Sequence, residues 1–232
     1  MIQCLLNDVK TVLCLGAHSD DIEIGCGGTI LKLAEEHEDL TVWWVVFTGG
    51  GQRRAEARAS AQLFLKKAAR SKVIIKQFRD GFFPFEGDAI KKLFEKLKGQ
   101  VRPDLVFTHY RDDRHQDHRI ISDLTWNTFR DHLILEYEIP KYDGDLGIPN
   151  VFMRLEEEIC RKKAEYICRF FQTQANKHWF SADTFLGLMR LRGVECASRT
   201  KYAEAFHGRK LVLGKGQAHQ MEAEPPPVEQ AT

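Results

Sequence analysis

The chain has 232 residues, of which 43% are hydrophobic and 29% are charged, and its formal net charge is +1. This length and apolar content suffice for one α/β domain with a substantial core. The near-zero net charge and the lack of a block of basic residues argue against a nucleic-acid-binding protein. Because no apolar run reaches the ~18 residues that cross a bilayer, we expect no transmembrane segment.

The N-terminus lacks the basic start and the uninterrupted apolar stretch of a signal peptide, so we expect a cytoplasmic location. The six cysteines form no CxxC pair. Their positions in apolar patterns predict free buried thiols and give no support to zinc bound by sulfur.

The first elements follow a β-α-β pattern. Val12 to Leu15 is predicted to be a buried strand, and Gly27 to Glu36 a helix with an apolar face. Leu40 to Phe47 is a second strand that is apolar on both faces, which is typical of the middle of a parallel sheet. The glycines of Thr48 to Gln52 predict a mobile or tightly turning wall of a site at the same edge of the sheet.

The same alternation continues along the chain. The further predicted helices are Arg53 to Ala69, Asp88 to Lys98, Ile120 to Phe129, Leu155 to Phe171 and Ala182 to Cys196. The further predicted strands are Lys72 to Phe78, Leu105 to Thr108 and Leu133 to Ile139, with a helical turn and a short strand over Tyr202 to Leu213. About five strands alternating with helices predict an α/β fold, a three-layer Rossmann-like sandwich with a mainly parallel central sheet.

We predict a single domain over residues 1–213. Residues 214–232 contain three consecutive prolines and no apolar periodicity, which predicts a disordered C-terminal tail. The turn-rich stretch Lys141 to Asn150 is predicted to cover part of a site.

Two clusters of acids and histidines follow predicted strands. His18, Asp20 and Asp21 come directly after the first strand, and RDDRHQDHR, Arg111 to Arg119, follows a later one. Parallel strands end at the same edge of a sheet, where open α/β folds bind ligands, so we expect the two clusters to meet there. A solvated loop is the alternative for either cluster taken alone.

These residue types are suited to metal-assisted hydrolysis. Imidazole and carboxylate bind zinc, and catalytic zinc sites use three protein ligands and leave one position for water. His18 and Asp21 lie three residues apart on a turn and can converge on one ion, and His118 supplies a third ligand. Asp20 is then the candidate general base for metal-activated water, the alternative being a residue that only orients His18.

His115 precedes His118 by three residues and can face the same cavity. We predict that it stabilises an oxyanion or protonates a leaving amine, with Asp117 as the carboxylate that holds its imidazole cationic. The alternative for Asp117 is a cap of the following helix. Residues 111–114 are predicted to be a solvated, partly self-paired loop. Together these groups predict acyl transfer to water without a serine or cysteine nucleophile.

The motifs resemble the signature of the PIG-L/LmbE-like zinc-dependent deacetylases. AHSDDIEIGCGGT at residues 17–29 resembles that family's AHPDD and GCGGT, and RHQDH at residues 114–118 resembles its HxDH. RRAEA, RDG, FQTQ and YAEAF are further matches. Ser19 and Ile22 depart from the commonest residues, proline and glutamate, but neither position is a ligand in the family.

The resemblance implies a Rossmann-like fold, one Zn²⁺ per chain and a specific set of site residues. The implied metal ligands are His18, Asp21 and His118, the implied base is Asp20, and His115 and Asp117 take the roles given above. The implied substrate is a small acylated amino sugar of the N-acetylglucosamine type, or its conjugate. Arg53 and Asp80 resemble positions that hold sugar hydroxyls, their alternatives being a helix-start salt bridge and a turn aspartate.

Other functions stay open at this point. An amidase of a thiol-sugar conjugate, an acetyl esterase and a non-catalytic binding protein are alternatives, as are other divalent metals and a homo-oligomeric assembly. A dinucleotide-binding domain is disfavoured because GCGGT is not GxGxxG. Asp20 and Asp21 at that turn would also repel a pyrophosphate.

Overall fold

A computed structural model describes residue 3 and residues 6–212 of the chain, and one seven-stranded sheet forms its centre. The strands are β1 (Thr11–Gly16), β2 (Thr41–Val46), β3 (Arg70–Ile75), β4 (Leu105–His109), β5 (Leu133–Tyr137), β6 (Val151–Leu155) and β7 (Tyr202–Gly208). Their spatial order is β3-β2-β1-β4-β5-β7-β6. The first five strands pair in parallel, and β7 lies antiparallel to both β5 and β6.

Helices cover both faces of the sheet. They are α1 (Asp21–Glu36), α2 (Gly51–Phe64), α3 (Gly87–Lys98), α4 (Gln116–Thr128), α5 (Glu157–Phe170) and α6 (Ala182–Glu195), with short 3-10 helices at Phe83–Phe85 and Gln172–Gln174. Apolar side chains of α1, α2, α5 and α6 form one core cluster with the sheet, and those of α3 and α4 form a second one. The predicted three-layer α/β fold is therefore confirmed.

Two further findings concern the described part of the chain. No helix in residues 6–212 is long and apolar enough to cross a bilayer. The five cysteines in the described residues are free, and all of them except Cys168 are buried. Cys4 and the predicted tail, residues 214–232, lie outside the described residues.

The glycine cluster after the first strand lies inside α1, which begins at Asp21 and not at Gly27 as predicted. A Cβ at Gly25 would lie 2.2 Å from the Tyr137 ring, and a Cβ at Gly27 would lie 2.6 Å from Phe64. These glycines are required for close packing of α1 against the sheet and against α2. They do not form a phosphate-binding turn.

Two further elements differ from the prediction. Residues 151–155 form strand β6, whereas the sequence predicted no strand there and began the next helix at Leu155. β6 pairs with β7, which is a strand throughout and has no helical turn. This antiparallel pair of strands extends the sheet beyond β5. Its two strands are separated by α5 and α6, so a local sequence pattern does not reveal their pairing.

Candidate metal centre and active site

The site lies where the strand order reverses. β1 pairs with β2 on one side and with β4 on the other. The connections after β1 and β4 therefore leave toward opposite faces, and a cleft opens between them at the carboxyl edge. His18 follows β1 by two residues, and His109 is the last residue of β4. The two predicted clusters do meet at this cleft.

The side chains of the three predicted metal ligands converge. His18 Nδ1 lies 3.1 Å from His118 Nε2 and 3.4 Å from Asp21 Oδ2, and His118 Nε2 lies 3.6 Å from Asp21 Oδ1. Bonds of about 2.0–2.1 Å in a tetrahedral zinc site separate neighbouring ligand atoms by about 3.3–3.4 Å. The donor set and its spacing fit a zinc ion.

Two other histidines offer donor atoms at the same place. His115 forms one possible donor set with His18 and His118, and His109 forms another with Asp21 and His118. Within each set the ligand atoms lie within 4.8 Å of one another. The His109 ring, however, stacks on His118 with a centroid distance of 3.9 Å and an interplanar angle of 18°. A metal bond lies in the plane of an imidazole, so two nearly parallel rings cannot direct their nitrogens at one ion. The geometry therefore favours His18 over His109 as the second imidazole ligand.

The charge balance of the cleft also suits a cation. Five aspartates belong to it, and Arg53 and Lys141 pair with three of them. These acids are Asp20, Asp21, Asp80, Asp113 and Asp117. The carboxylate excess is evident at His18, where burial lowers the pKa but the neighbouring carboxylates, first Asp21, raise it well above its usual value.

The other two candidate ligands are held in the forms that bind metal. Burial raises the pKa of Asp21, but its interactions with the neighbouring imidazoles, first His118, bring it well below its usual value. Burial, together with His109, lowers the pKa of His118 to about 3. Asp21 is thus a carboxylate and His118 a neutral imidazole at neutral pH.

His109 and Asp113 also belong to the site, although neither was predicted to do so. His109 is fully buried, its Nε2 accepts the backbone N–H of Ala17 at 2.9 Å, and it lies 3.2 Å from Asp21 Oδ2. Asp113, predicted to be solvated, is 2% exposed and accepts the Nδ1 proton of His118 at 2.8 Å. This bond leaves His118 Nε2 free as a ligand atom. The signal for His109 was present, since it ends an apolar strand just as the first cluster does.

Asp117 acts on His18 and on the loop after β3. Its Oδ2 lies 3.3 Å from His18 Nε2 and accepts the backbone N–H of Gly81 at 2.6 Å, while Oδ1 accepts that of Phe83 at 3.1 Å. Asp80 Oδ1 also lies 3.2 Å from His18 Nε2. The two carboxylates therefore hold the His18 ring with Nδ1 directed at the other ligands.

His115 is the N-cap of α4, the role that was the alternative for Asp117. Its Nδ1 accepts the backbone N–H of Asp117 at 3.2 Å. The Asp117 carboxylate is occupied by His18 and two backbone amides, so it does not form the predicted bond with the His115 imidazole. Burial and the charge of His18 lower the pKa of His115, which favours the neutral ring. With Nδ1 accepting, the single ring proton lies on Nε2.

Asp20 and Arg53 lie beside the three candidate ligands. Arg53 Nη2 is 3.6 Å from Asp20 Oδ1, and Arg53 Nη1 is 3.0 Å from Asp80 Oδ2. Burial and the charge of Asp21 raise the pKa of Asp20 to about 6. The hydrogen bond with His18 lowers the pKa of Asp80 to about 2, although burial opposes this shift. The structure thus places all eight predicted site residues in one cleft.

Comparisons with known proteins show what this chain is similar to. Residues 13–129 match the family model described as PIG-L: GlcNAc-PI de-N-acetylase. The chain is 32% identical over 165 residues to the uncharacterized deacetylase YaiS of Escherichia coli strain K12, and the match covers 66% of this chain and 85% of YaiS.

Two solved structures have the same fold. N,N'-diacetylchitobiose deacetylase from Pyrococcus horikoshii superposes with a TM-score of 0.67 at 23% identity, covering 87% of this chain and 84% of that chain. GalB, the 4-carboxy-2-hydroxymuconate hydratase from Pseudomonas putida KT2440, superposes with a TM-score of 0.69 at 19% identity, covering 90% of this chain and 100% of that one. At these identities the comparison shows the fold alone, and the two enzymes differ in reaction.

Proposed function

Because this chain belongs to the PIG-L family of deacetylases, we propose that it is a zinc-dependent hydrolase that removes the acetyl (acyl) group from the amide nitrogen of an N-acetylglucosamine-type sugar or its conjugate. One observation carries this proposal. Donor atoms of His18, Asp21 and His118 converge within 3.1–3.6 Å, and the carboxylate of Asp20, next in sequence to Asp21, lies beside them and is paired with Arg53.

The residues divide into three proposed tasks. His18, Asp21 and His118 would hold the zinc ion, which when bound lowers the pKa of water and polarises a carbonyl. Asp20 accepts the proton of the attacking water, and its pKa of about 6 suits a base that works near neutral pH. Arg53 holds the Asp20 carboxylate in place.

His115 is the proposed oxyanion stabiliser. Its Nδ1 is occupied by the backbone N–H of Asp117, so the ring proton is on Nε2 and available to the substrate. A neutral imidazole can donate this hydrogen bond without the cationic charge that the sequence suggested. Asp117 contributes indirectly, because it holds the His18 ring and the loop at Gly81.

The substrate class is proposed from the polar wall of the cleft and from the relatives. Arg53 and Asp80, paired at 3.0 Å, present a donor and an acceptor beside the catalytic groups, as sugar hydroxyls require. Diacetylchitobiose is the substrate named for one solved relative. Hydrolysis of a thiol-sugar amide or of an acetyl ester by the same residues is the alternative.

A substrate screen combined with metal analysis tests the proposal. Purified protein is assayed for acetate release from N-acetylglucosamine, diacetylchitobiose, an N-acylated thiol-sugar conjugate and an acetylated sugar ester, and zinc is measured in the same sample. We expect amide hydrolysis that is lost on chelation and restored by zinc. Stoichiometric zinc without hydrolysis of any substrate would favour a binding protein, and activity that survives complete chelation would refute the zinc mechanism.

A further inference from the structure

The loop after β5 inserts one buried lysine into the site. Lys141 follows β5 by four residues, and its side chain is 10% exposed. Its Nζ lies 2.9 Å from Asp113 Oδ2 and 2.6 Å from Asp145 Oδ2. Nothing near Lys141 in sequence indicates which acids it contacts, so no role for this residue could be predicted.

Lys141 and a candidate metal ligand share one carboxylate oxygen. Asp113 Oδ2, which contacts the lysine, is also the atom that accepts the Nδ1 proton of His118 at 2.8 Å. The other oxygen, Asp113 Oδ1, accepts the backbone N–H of His115 at 2.8 Å. A change at Lys141 is therefore separated from the His118 imidazole by a single atom.

The lysine also allows two buried acids to approach one another. The side chains of Asp113 and Asp145 are 3% and 8% exposed, and both contact the same ammonium group. Asp145 Oδ2 in addition accepts the backbone N–H of Arg114 at 2.6 Å. Without the lysine, two desolvated carboxylates would face each other, and the loop would have to move away from Asp113.

The rest of the loop is fixed to the same side of the sheet. His207 Nε2 lies 3.1 Å from the carbonyl oxygen of Leu146, and the His207 ring stacks on Tyr110 at 3.7 Å. At the surface of the loop, Tyr142 is 71% exposed and Ile148 is 91% exposed. The segment 141–150 is thus held against the rest of the domain by polar contacts on its inner side, and two of its large side chains face solvent.

We propose that Lys141 is a positioning residue that couples the docking of loop 141–150 to metal binding at His118. The docked lysine holds the Asp113 carboxylate in the position where it bonds to His118 Nδ1, so Nε2 is free for a metal ion. A metal ion at Nε2 strengthens the same chain of contacts and stabilises the docked loop, because coupling between two binding events is reciprocal. This inference rests on the proposed metal site.

The test measures zinc affinity and loop exchange in the same variants. Lys141→Met is compared with Lys92→Met, a matched control whose exposed ammonium pairs with Asp88 at 2.7 Å on α3. Zinc affinity is measured by competition with a chromogenic chelator, and hydrogen exchange of residues 141–150 is measured with and without zinc. For Lys141→Met we expect about a tenfold or greater loss of zinc affinity and loss of the zinc-induced protection of the loop. The control should behave as the wild type.

Specific outcomes would overturn the proposal. A zinc affinity of Lys141→Met equal to that of the wild type would do so. The proposal would also fail if hydrogen exchange of the loop in the wild-type protein did not respond to zinc. If Lys141→Met does not fold, Asp145→Asn loosens the loop while Asp113 is left intact. Faster loop exchange in Asp145→Asn without weaker zinc binding would also refute the coupling. Failure of the wild type to bind zinc would instead refute the proposed function itself.

Discussion

A buried ion pair holds the middle of α1, and its loss gives the sharpest stability prediction. Glu204 on β7 accepts the backbone N–H groups of Gly28 and Thr29 at 2.7 and 2.6 Å. It also pairs with Lys163 of α5 at 2.6 Å, and both side chains are 3% exposed. Lys163 Nζ donates in turn to the carbonyl oxygen of Ile24 at 2.6 Å. Three elements therefore meet at one carboxylate.

We predict that Glu204→Gln lowers the free energy of unfolding by about 3–5 kcal/mol. The substitution keeps the shape of the side chain but removes its charge, which leaves the Lys163 ammonium buried without a counter-charge. A domain of ordinary stability has only about 5–15 kcal/mol in total, so a large part of the stability would be lost. In the double variant Lys163→Met/Glu204→Gln no buried charge remains, and the loss should be smaller than the sum of the single losses by about 2 kcal/mol.

Urea unfolding, followed by tryptophan fluorescence with chelator present, measures these differences without a contribution from bound metal. Glu35→Gln on the same helix is the control. Glu35 forms partly exposed pairs with Lys67 at 2.9 Å and Lys162 at 3.6 Å, so this substitution should cost less than about 1 kcal/mol. A loss below about 1 kcal/mol for Glu204→Gln, or simple additivity in the double variant, would refute the reasoning.

The remaining predictions concern packing and the site. Gly25→Ala should lower the free energy of unfolding by about 1–3 kcal/mol in the same assay, since its Cβ would lie 2.2 Å from the Tyr137 ring. Gly187→Ala in α6, where a Cβ has open space, should instead raise the free energy of unfolding by about 0.5–1 kcal/mol. Asp20→Ala should retain stoichiometric zinc and lose about 10²–10⁴ in kcat, and activity at the wild-type level would exclude Asp20 as the base. His118→Ala should lose bound zinc, measured by elemental analysis, and full retention of the metal would show that the ligand set is wrong.

The convergence of the site could be predicted because it follows from topology. Residues directly after β1 and β4 must share one edge of a parallel sheet, so His18 and His118 are brought together although 100 residues separate them. The sequence pattern also predicted the alternation of strands and helices. What it could not predict were the contacts that depend on non-local pairing.

The missed features share one physical cause. β6 is half-buried at the edge of the sheet and pairs with β7, nearly fifty residues later, so its short local pattern did not predict a strand. Asp113 was predicted to be solvated because it lies among arginines and aspartates, yet His118 and Lys141 desolvate it. Its burial is determined by a loop from another part of the chain, which no local charge pattern reveals.

The reversal of strand order between β1 and β4 also determines when the site comes into existence. A nascent chain that has emerged only as far as α3 possesses His18 and Asp21 but not His118, and therefore holds an incomplete set of donors. Unlike a zinc finger, whose ligands are close together in sequence, this protein cannot use a metal ion to nucleate its own folding from a short peptide. An ion at the proposed site would have to be acquired after the two halves of the sheet have joined, and metal content would then report whether tertiary assembly is complete.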